Sequence, residues 1–228
     1  MALFGERQTF LGRLTPADRT ALGALGATRR FDPGAVLLRE GETGSHLVLL
    51  LSGWCTVWLA TERGGKVILG LRSTGELVGE MAALDPHPRS ASVNALGPVD
   101  GLLVPGERFR QFIAARPYAT ALVLAQLADR LRGADHERRA LASLTVLRRL
   151  SARLVELADR TGRPPEPGAG PVEIRLPLPQ SELAAAVGAT REAVAKALRL
   201  LREQGLVRTG PGTLVVLELE PLRLLAQG

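Results

Sequence analysis

The sequence predicts an α+β chain with an antiparallel sheet domain first, a helical domain last and one long helix between them. Three observations carry this. Between Phe31 and Val104 short apolar runs recur between glycine turns, the spacing of hairpins in a compact antiparallel sandwich or barrel. From Tyr118 to about Leu141 there is no proline and the only glycine is Gly133, which allows a single long helix. The stretch Leu178–Val207, LPQSELAAAVGATREAVAKALRLLREQGLV, reads as two short helices joined by a tight turn.

In chain order, Thr15-Pro16-Ala17-Asp18 starts a helix, with a cap, a first-turn proline and an acid at the positive end; it should end near Gly26. The sheet runs are broken at Gly41, Gly44, Gly53, Gly64-Gly65, Gly75, Gly97-Pro98 and Pro105-Gly106. Glu107–Ala115 is a short helix stopped before Pro117. Along the long helix, Leu124, Leu127, Leu131, Ala134 and Leu141 form a seam at steps of three and four, interrupted at Arg138. Such a seam suits pairing with a second copy, or packing on the chain's own domain. Ser143 or Thr145 can cap the next helix, Val146–Thr161. Gly162–Pro171, GRPPEPGAGP, carries no helix or strand signal and reads as a loop. The expected domains are therefore 1–115, a sheet domain; 116–144, the long helix; and 145–228, the helical domain.

Within the last domain the first short helix runs from about Gln180 to Val187 and the second from about Arg191 to Gln204. Ala184 is small where the helices cross, and Gly188 supplies the left-handed turn. Thr190 can cap the second helix. Val194, Ala197, Leu198 and Leu201 face inward, which leaves Arg191, Glu192, Ala195 and Lys196 outside. Arg, Glu and Lys at the start of a second helix suit base edges in a major groove; a merely solvated face would look the same. Gly205 ends the helix. The run LVRTGPGTLVVL then reads as a hairpin, to which VEIRLPL can add a third strand, giving a winged helix–turn–helix.

Composition narrows the partners. Lys+Arg is 29 against 23 Asp+Glu, net +6, which favours an acidic partner. Only Lys66 and Lys196 are lysines, so the basic charge is nearly all arginine. Cys55 is the single cysteine, which rules out an internal disulfide and a cysteine cluster for zinc or iron–sulfur. His46, His87 and His136 lack ligand spacing, so no metal, haem or iron–sulfur cluster is expected. No apolar run reaches the ~20 residues of a membrane span, and the start of the chain is not a signal peptide, so the expected location is the cytoplasm, with no membrane partner. No catalytic constellation is visible, and an enzyme is not expected.

One stretch of the sheet domain invites a ligand. In GELVGEMAALDPHPRSASV, Gly79-Glu80 precedes a small apolar turn, Met81–Leu84, and then Arg89-Ser90-Ala91. Amides following Glu80 can face an anion, Arg89 can fork onto a phosphate, Ser90 can donate to it, and Glu80 can accept from a sugar hydroxyl. An ordinary Glu–Arg surface pair is the plain alternative.

GEMAALDPHPRSASV resembles the phosphate-binding cassette of cyclic-nucleotide-binding domains, and EGETGSHLVLLLSGWCTVWL resembles their glycine-marked strands. QSELAAAVGATREAVAKAL resembles the helix–turn–helix of the CRP/FNR family of bacterial regulators. The order of parts is also that family's and covers almost the whole chain. The resemblance implies an N-terminal β-roll, a long dimerisation helix and a homodimer. It implies an effector site lined by Gly79, Glu80, Met81, Arg89, Ser90, Ala91, Arg130, Ala134 and Asp135. It implies that Arg191, Glu192 and Lys196 reach bases while Gln180 and Thr190 touch phosphates. The expected partners are double-stranded DNA with a near-palindromic site and RNA polymerase, and the expected effector is cyclic AMP or a related cyclic nucleotide. Cyclic-AMP-dependent members usually place Thr with Ser or Asn where this chain has Ala134-Asp135. That departure keeps open a second expectation, a regulator of the same family that binds DNA without a nucleotide.

Overall fold

The structure, a computed structural model, describes residues 9–62, 64–163, 170–174, 178–210 and 213–227. It divides into two compact units, one ending at Arg132 and the other beginning at Gly133, so the division falls inside the long helix.

The first unit opens with α1 (Phe10–Arg13), capped by Thr9, and α2 (Pro16–Gly23), whose first turn is closed by the Thr15 hydroxyl accepting from the Asp18 amide. Helix α2 stops three residues short of Gly26, and α1 carried too short a pattern to be read. Strands β1 (Ala27–Phe31), β2 (Val36–Leu38), β3 (Leu47–Ser52), β4 (Trp54–Ala60), β5 (Lys66–Ser73) and β6 (Leu77–Val78) follow. After them come α3 (Glu80–Leu84), β7 (Ser92–Ala95), β8 (Val99–Val104), α4 (Gly106–Ala114) and α5 (Pro117–Ser143). The strands make two antiparallel four-stranded sheets, ordered β1-β8-β3-β6 and β2-β7-β4-β5.

Strand β3 shows why HLVLLL is apolar throughout. Leu47 and Leu49 face a helical core with Leu22, Phe109, Phe112, Leu122 and Val123. Val48 and Leu50, on the opposite face of the pleat, join Phe31, Leu38, Cys55, Val78 and Val93 between the sheets. A strand buried on both faces loses its alternation. Cys55 is thus a core thiol, pushed up to about 12 by burial.

In the second unit α6 (Val146–Thr161) begins where Thr145 accepts from the Arg148 amide, so Thr145 rather than Ser143 is the cap. Then come β9 (Gly162–Arg163), β10 (Val172–Ile174), α7 (Gln180–Val187), α8 (Arg191–Glu203), β11 (Val207–Gly210), β12 (Thr213–Val216) and α9 (Leu219–Gln227). The wing is a four-stranded antiparallel sheet, β11-β12-β10-β9. The hairpin and its third strand agree with the sequence reading; the wing's Pro211-Gly212 tip lies outside the described residues. Residues 162–163, read as loop, pair with β10, because strand partners two residues long leave no periodicity to read. Helix α9, unread in the sequence, packs on α6, and its Arg223 reaches Asp159.

Close backbone approach fixes one glycine. A Cβ on Gly26 would overlap the Leu103 carbonyl oxygen, whereas one on Gly23 would meet open space. Gly26→Ala is therefore expected to cost about 1–3 kcal/mol, as overpacking does, and Gly23→Ala close to nothing. Thermal midpoints of the two variants decide this.

Candidate functional site

Gly79 holds a left-handed conformation, φ 78°, as the residue before α3. A Cβ there would come within 2.7 Å of Arg89 Nη1 and 2.6 Å of Leu38 Cδ1, so only glycine lets the arginine lie this close. Arg89 is buried, its Nη1 donating to the Gly79 carbonyl at 2.9 Å and its Nη2 to the His46 carbonyl. The same Nη2 is 3.3 Å from His46 Nδ1. Glu80 is 1% exposed and pairs through Oε1 with Arg130 Nη1, while Arg130 Nη2 donates to the Leu77 carbonyl at 2.6 Å. Glu80 Oε2 is buried and has no hydrogen-bond partner among the described residues; neither do Arg130 Nε and Gln126 Nε2. Met81 and Ser90 sit at the rim, with the Ser90 hydroxyl 3.8 Å from the Met81 sulfur, and Ala91 is half-buried beside them.

Two members of this charged interior escaped the sequence reading. Arg72 is buried and carries Glu76 within 3.8 Å of its Nε. Burial, then repulsion from Arg130, pushes its guanidinium down to about 10. Arg72 stands opposite Cys55 in the β4–β5 ladder and so shares its inward face. That register, with a core thiol at position 55, is the signal that would have found it. Arg72, Arg89 and Arg130 against Glu76 and Glu80 leave this interior with three positive and two negative groups, net +1.

Ala134 and Asp135 belong to the second unit, where both are exposed and Asp135 lies 3.6 Å from Arg138.

The second candidate surface is α8. Gly188 ends α7 at φ 59°, and Thr190 caps α8 by accepting from the Ala193 amide at 3.2 Å. Val194, Ala197, Leu198 and Leu201 are buried, and Arg191, Glu192 and Lys196 are exposed along one face, with Gln180 exposed at the start of α7. The Glu192 carboxylate is held below its usual range by its own backbone amide and then by the Thr190 hydroxyl. It is folded back over the cap of α8.

A third feature lies on the first half of α5. Ala119, Leu122 and Val123 are buried in the unit's core and Leu127, read as the middle of the seam, packs partly against it. Leu124 and Leu131 remain 61% and 63% exposed, with Ala121 and Ala128 between and beside them. The apolar stripe left open is therefore 121, 124, 128 and 131. Among the described residues there is no cluster fit for a metal ion and no helix long and apolar enough to cross a membrane.

Residues 28–116 match the model of the cyclic nucleotide-binding domain and residues 148–225 that of the Crp-like helix-turn-helix domain. The chain is 34% identical to the cyclic AMP receptor protein of Thermus thermophilus, over 88% of each chain. It is 30% identical to the CRP-like cAMP-activated global transcriptional regulator of Mycobacterium tuberculosis, over 84% of each. It superposes on a CRP/FNR-family transcriptional regulator from Thermus thermophilus with a TM-score of 0.75 at 28% identity, covering 89% of this chain and 99% of the other.

The His46–Arg89 contact has a measurable consequence. The His46 ring is held below its ordinary 6.5 first by burial and second by the Arg89 charge, with Glu42 opposing. The unfolded side chain takes up a proton first, so the fold loses stability as the pH falls through 6.5. Arg89→Gln removes the second cause only. The His46 ring, titrated by NMR, should move up in this variant yet stay below a free histidine.

Proposed function

The chain belongs to the CRP/FNR family of DNA-binding transcription regulators, and we propose that it works as a homodimer whose hold on DNA is set by a cyclic nucleotide, cyclic AMP first among them. The observation that supports this most is Glu80. An acceptor oxygen buried at 1% residue exposure without a hydrogen-bond partner among the described residues is costly unless a donor arrives, and a ribose hydroxyl is a neutral donor of the right kind. The net +1 interior gives the charge balance for a singly charged cyclic phosphodiester. Arg89 would leave the Gly79 and His46 carbonyls and turn its fork to that phosphate, with Ser90 beside it; Arg130 would hold Glu80 in place for the sugar. Cyclic AMP is the effector named for the relatives from Thermus and Mycobacterium.

For DNA, Arg191 can fork onto guanine and Glu192 accept from the cytosine amine. Lys196 would reach further along the groove, while Gln180 and Thr190 hold phosphates. A second copy on the stripe of Leu124 and Leu131 would cover two large exposed apolar side chains and set two recognition helices on one near-palindrome. The location proposed is cytoplasmic, with RNA polymerase as the protein partner and no catalytic activity.

A second reading, DNA binding without a nucleotide, is favoured by two specific observations. Arg89 already has carbonyl acceptors, which a phosphate must displace. Ala134 offers the base no polar group. Titration calorimetry separates the readings. Cyclic AMP should bind the wild type in the micromolar range and tighten its DNA complex. Arg89→Leu should lose on the order of 3–5 kcal/mol, leaving binding barely detectable at millimolar nucleotide. Glu80→Ala also strips Arg130 of its partner; Glu80→Gln, which keeps an acceptor oxygen, is the cleaner probe. No heat with cyclic AMP or cyclic GMP at millimolar concentration from a folded wild type leaves the second reading standing.

Sequence choice is tested at α8. Selection from random duplexes should return a two-fold site protected over two half-sites, with a G·C pair that loses its preference in Arg191→Ala by about 1–3 kcal/mol. A footprint over one half-site, or an unchanged preference, overturns the groove face or the dimer.

A further inference from the structure

Two buried arginines of α6 have no part in the sites above. Arg153 is 1% exposed, and its Nη1 donates to Glu156 Oε2 at 2.9 Å. Its Nη2 is shared: it donates to Glu137 Oε2 at 3.1 Å and to the Ala186 carbonyl at 2.9 Å. One turn earlier Arg149 donates from Nε to the Val187 carbonyl at 2.8 Å, from Nη2 to the Gly188 carbonyl at 3.2 Å and from Nη1 to the Leu144 carbonyl at 2.7 Å. Three consecutive carbonyls, 186 to 188, thus end α7 on two guanidinium groups. Those carbonyls are the negative end of the first helix of the helix–turn–helix, and cations satisfy them.

The same two arginines hold the end of α5 through the Glu137 carboxylate and the Leu144 carbonyl. A Cβ on Gly188 would come within 2.6 Å of Leu141 Cδ2, so the turn also lies directly against that helix. Glu137 and Ala186 meet on one nitrogen atom, so a displacement of Glu137 acts on the atom that seats α7. Burial pushes the Arg153 guanidinium down, and Glu156 and then Glu137 counter it.

We propose that Arg153 is the positioning residue of DNA recognition in this chain, a latch that makes α7, the turn and α8 follow residues 133–144 of α5 through Glu137. Glu156 neutralises Arg153 within α6; Glu137 supplies the link between elements. The inference rests on α8 being the DNA-reading helix, and its test has one readout that needs DNA and one that does not.

The experiment uses the full-length protein as wild type, Glu137→Gln, Arg153→Met and the double variant, each checked for an intact thermal transition. Amide hydrogen exchange is followed in α7 and the turn, with α9 as the internal control. DNA affinity is titrated over a range of salt on a site selected by the wild type. Glu137→Gln should speed exchange in α7 and the turn but not in α9. It should weaken DNA binding by about tenfold, the size of one charge-assisted hydrogen bond, with the active fraction unchanged. The dependence of affinity on salt should stay parallel to the wild type, because no phosphate contact is lost. Arg153→Met should do the same or more, and adding Glu137→Gln to it should change nothing further. Unchanged exchange in α7, additive losses in the double variant, or a shallower salt dependence each overturn the latch. A wild type that selects no DNA site overturns the recognition reading instead, while the exchange data still decide whether the latch exists.

Discussion

Burying a carboxylate is costly without a partner, and the first unit is arranged around one such buried pair. Glu80, 1% exposed at the start of α3, is paired from α5 by Arg130. That pair fixes the rotation of α5 against the sheets. With Arg130 turned to Glu80 and the Leu77 carbonyl, the helix must present Leu122 and Val123 to the core and leave Leu124 and Leu131 outside. The buried charge cluster and the exposed stripe are consequently two faces of one helix setting. A truncation at Glu80 would be felt on both, because it takes away the partner of Arg130.

Legibility followed the range of the interactions. The helix–turn–helix was readable to within a residue because its signals are local: Gly188 at a left-handed position, Thr190 at a cap and an apolar set at helical spacing. The contact of Arg89 with Gly79 was within reach of the sequence because Gly79, Glu80 and Arg89 lie within one short segment. Leu127 packs in part against its own core, which the seam spacing could not show, because spacing along a helix does not say which of two partners takes a residue. The α9 helix was missed for a related reason. Its stability comes from packing on α6, and its own sequence carries few cues. Arg72, Arg149 and Arg153 were invisible as interior groups since arginine is read as surface by default. Their acceptors, at Glu76, Val187 and Ala186, are set by the fold rather than by neighbours in the chain, apart from the four-residue step from Arg72 to Glu76.

The bias of this chain toward arginine has a physical reading at those places. Of 29 basic residues only Lys66 and Lys196 are lysines, and both lie on surfaces: Lys196 on the outer face of α8, Lys66 at the start of β5 beside Trp58. Every buried cation among the described residues is an arginine. A guanidinium is more weakly hydrated than an ammonium, and its planar fork can serve several fixed acceptors at once, as Arg149 serves Leu144, Val187 and Gly188. An ammonium offers three donors in a tetrahedral spread and could not match that set.

The starting pKa matters as much as the geometry. Arg72, pushed down to about 10, is still a cation at neutral pH. A lysine starts about two units lower and would hold its charge less firmly under the same burial. Arginine at position 72 therefore stays a cation across the physiological range. His46, the neighbour of Arg89 whose ordinary pKa lies near neutrality, is held in the neutral form by burial and by Arg89 itself.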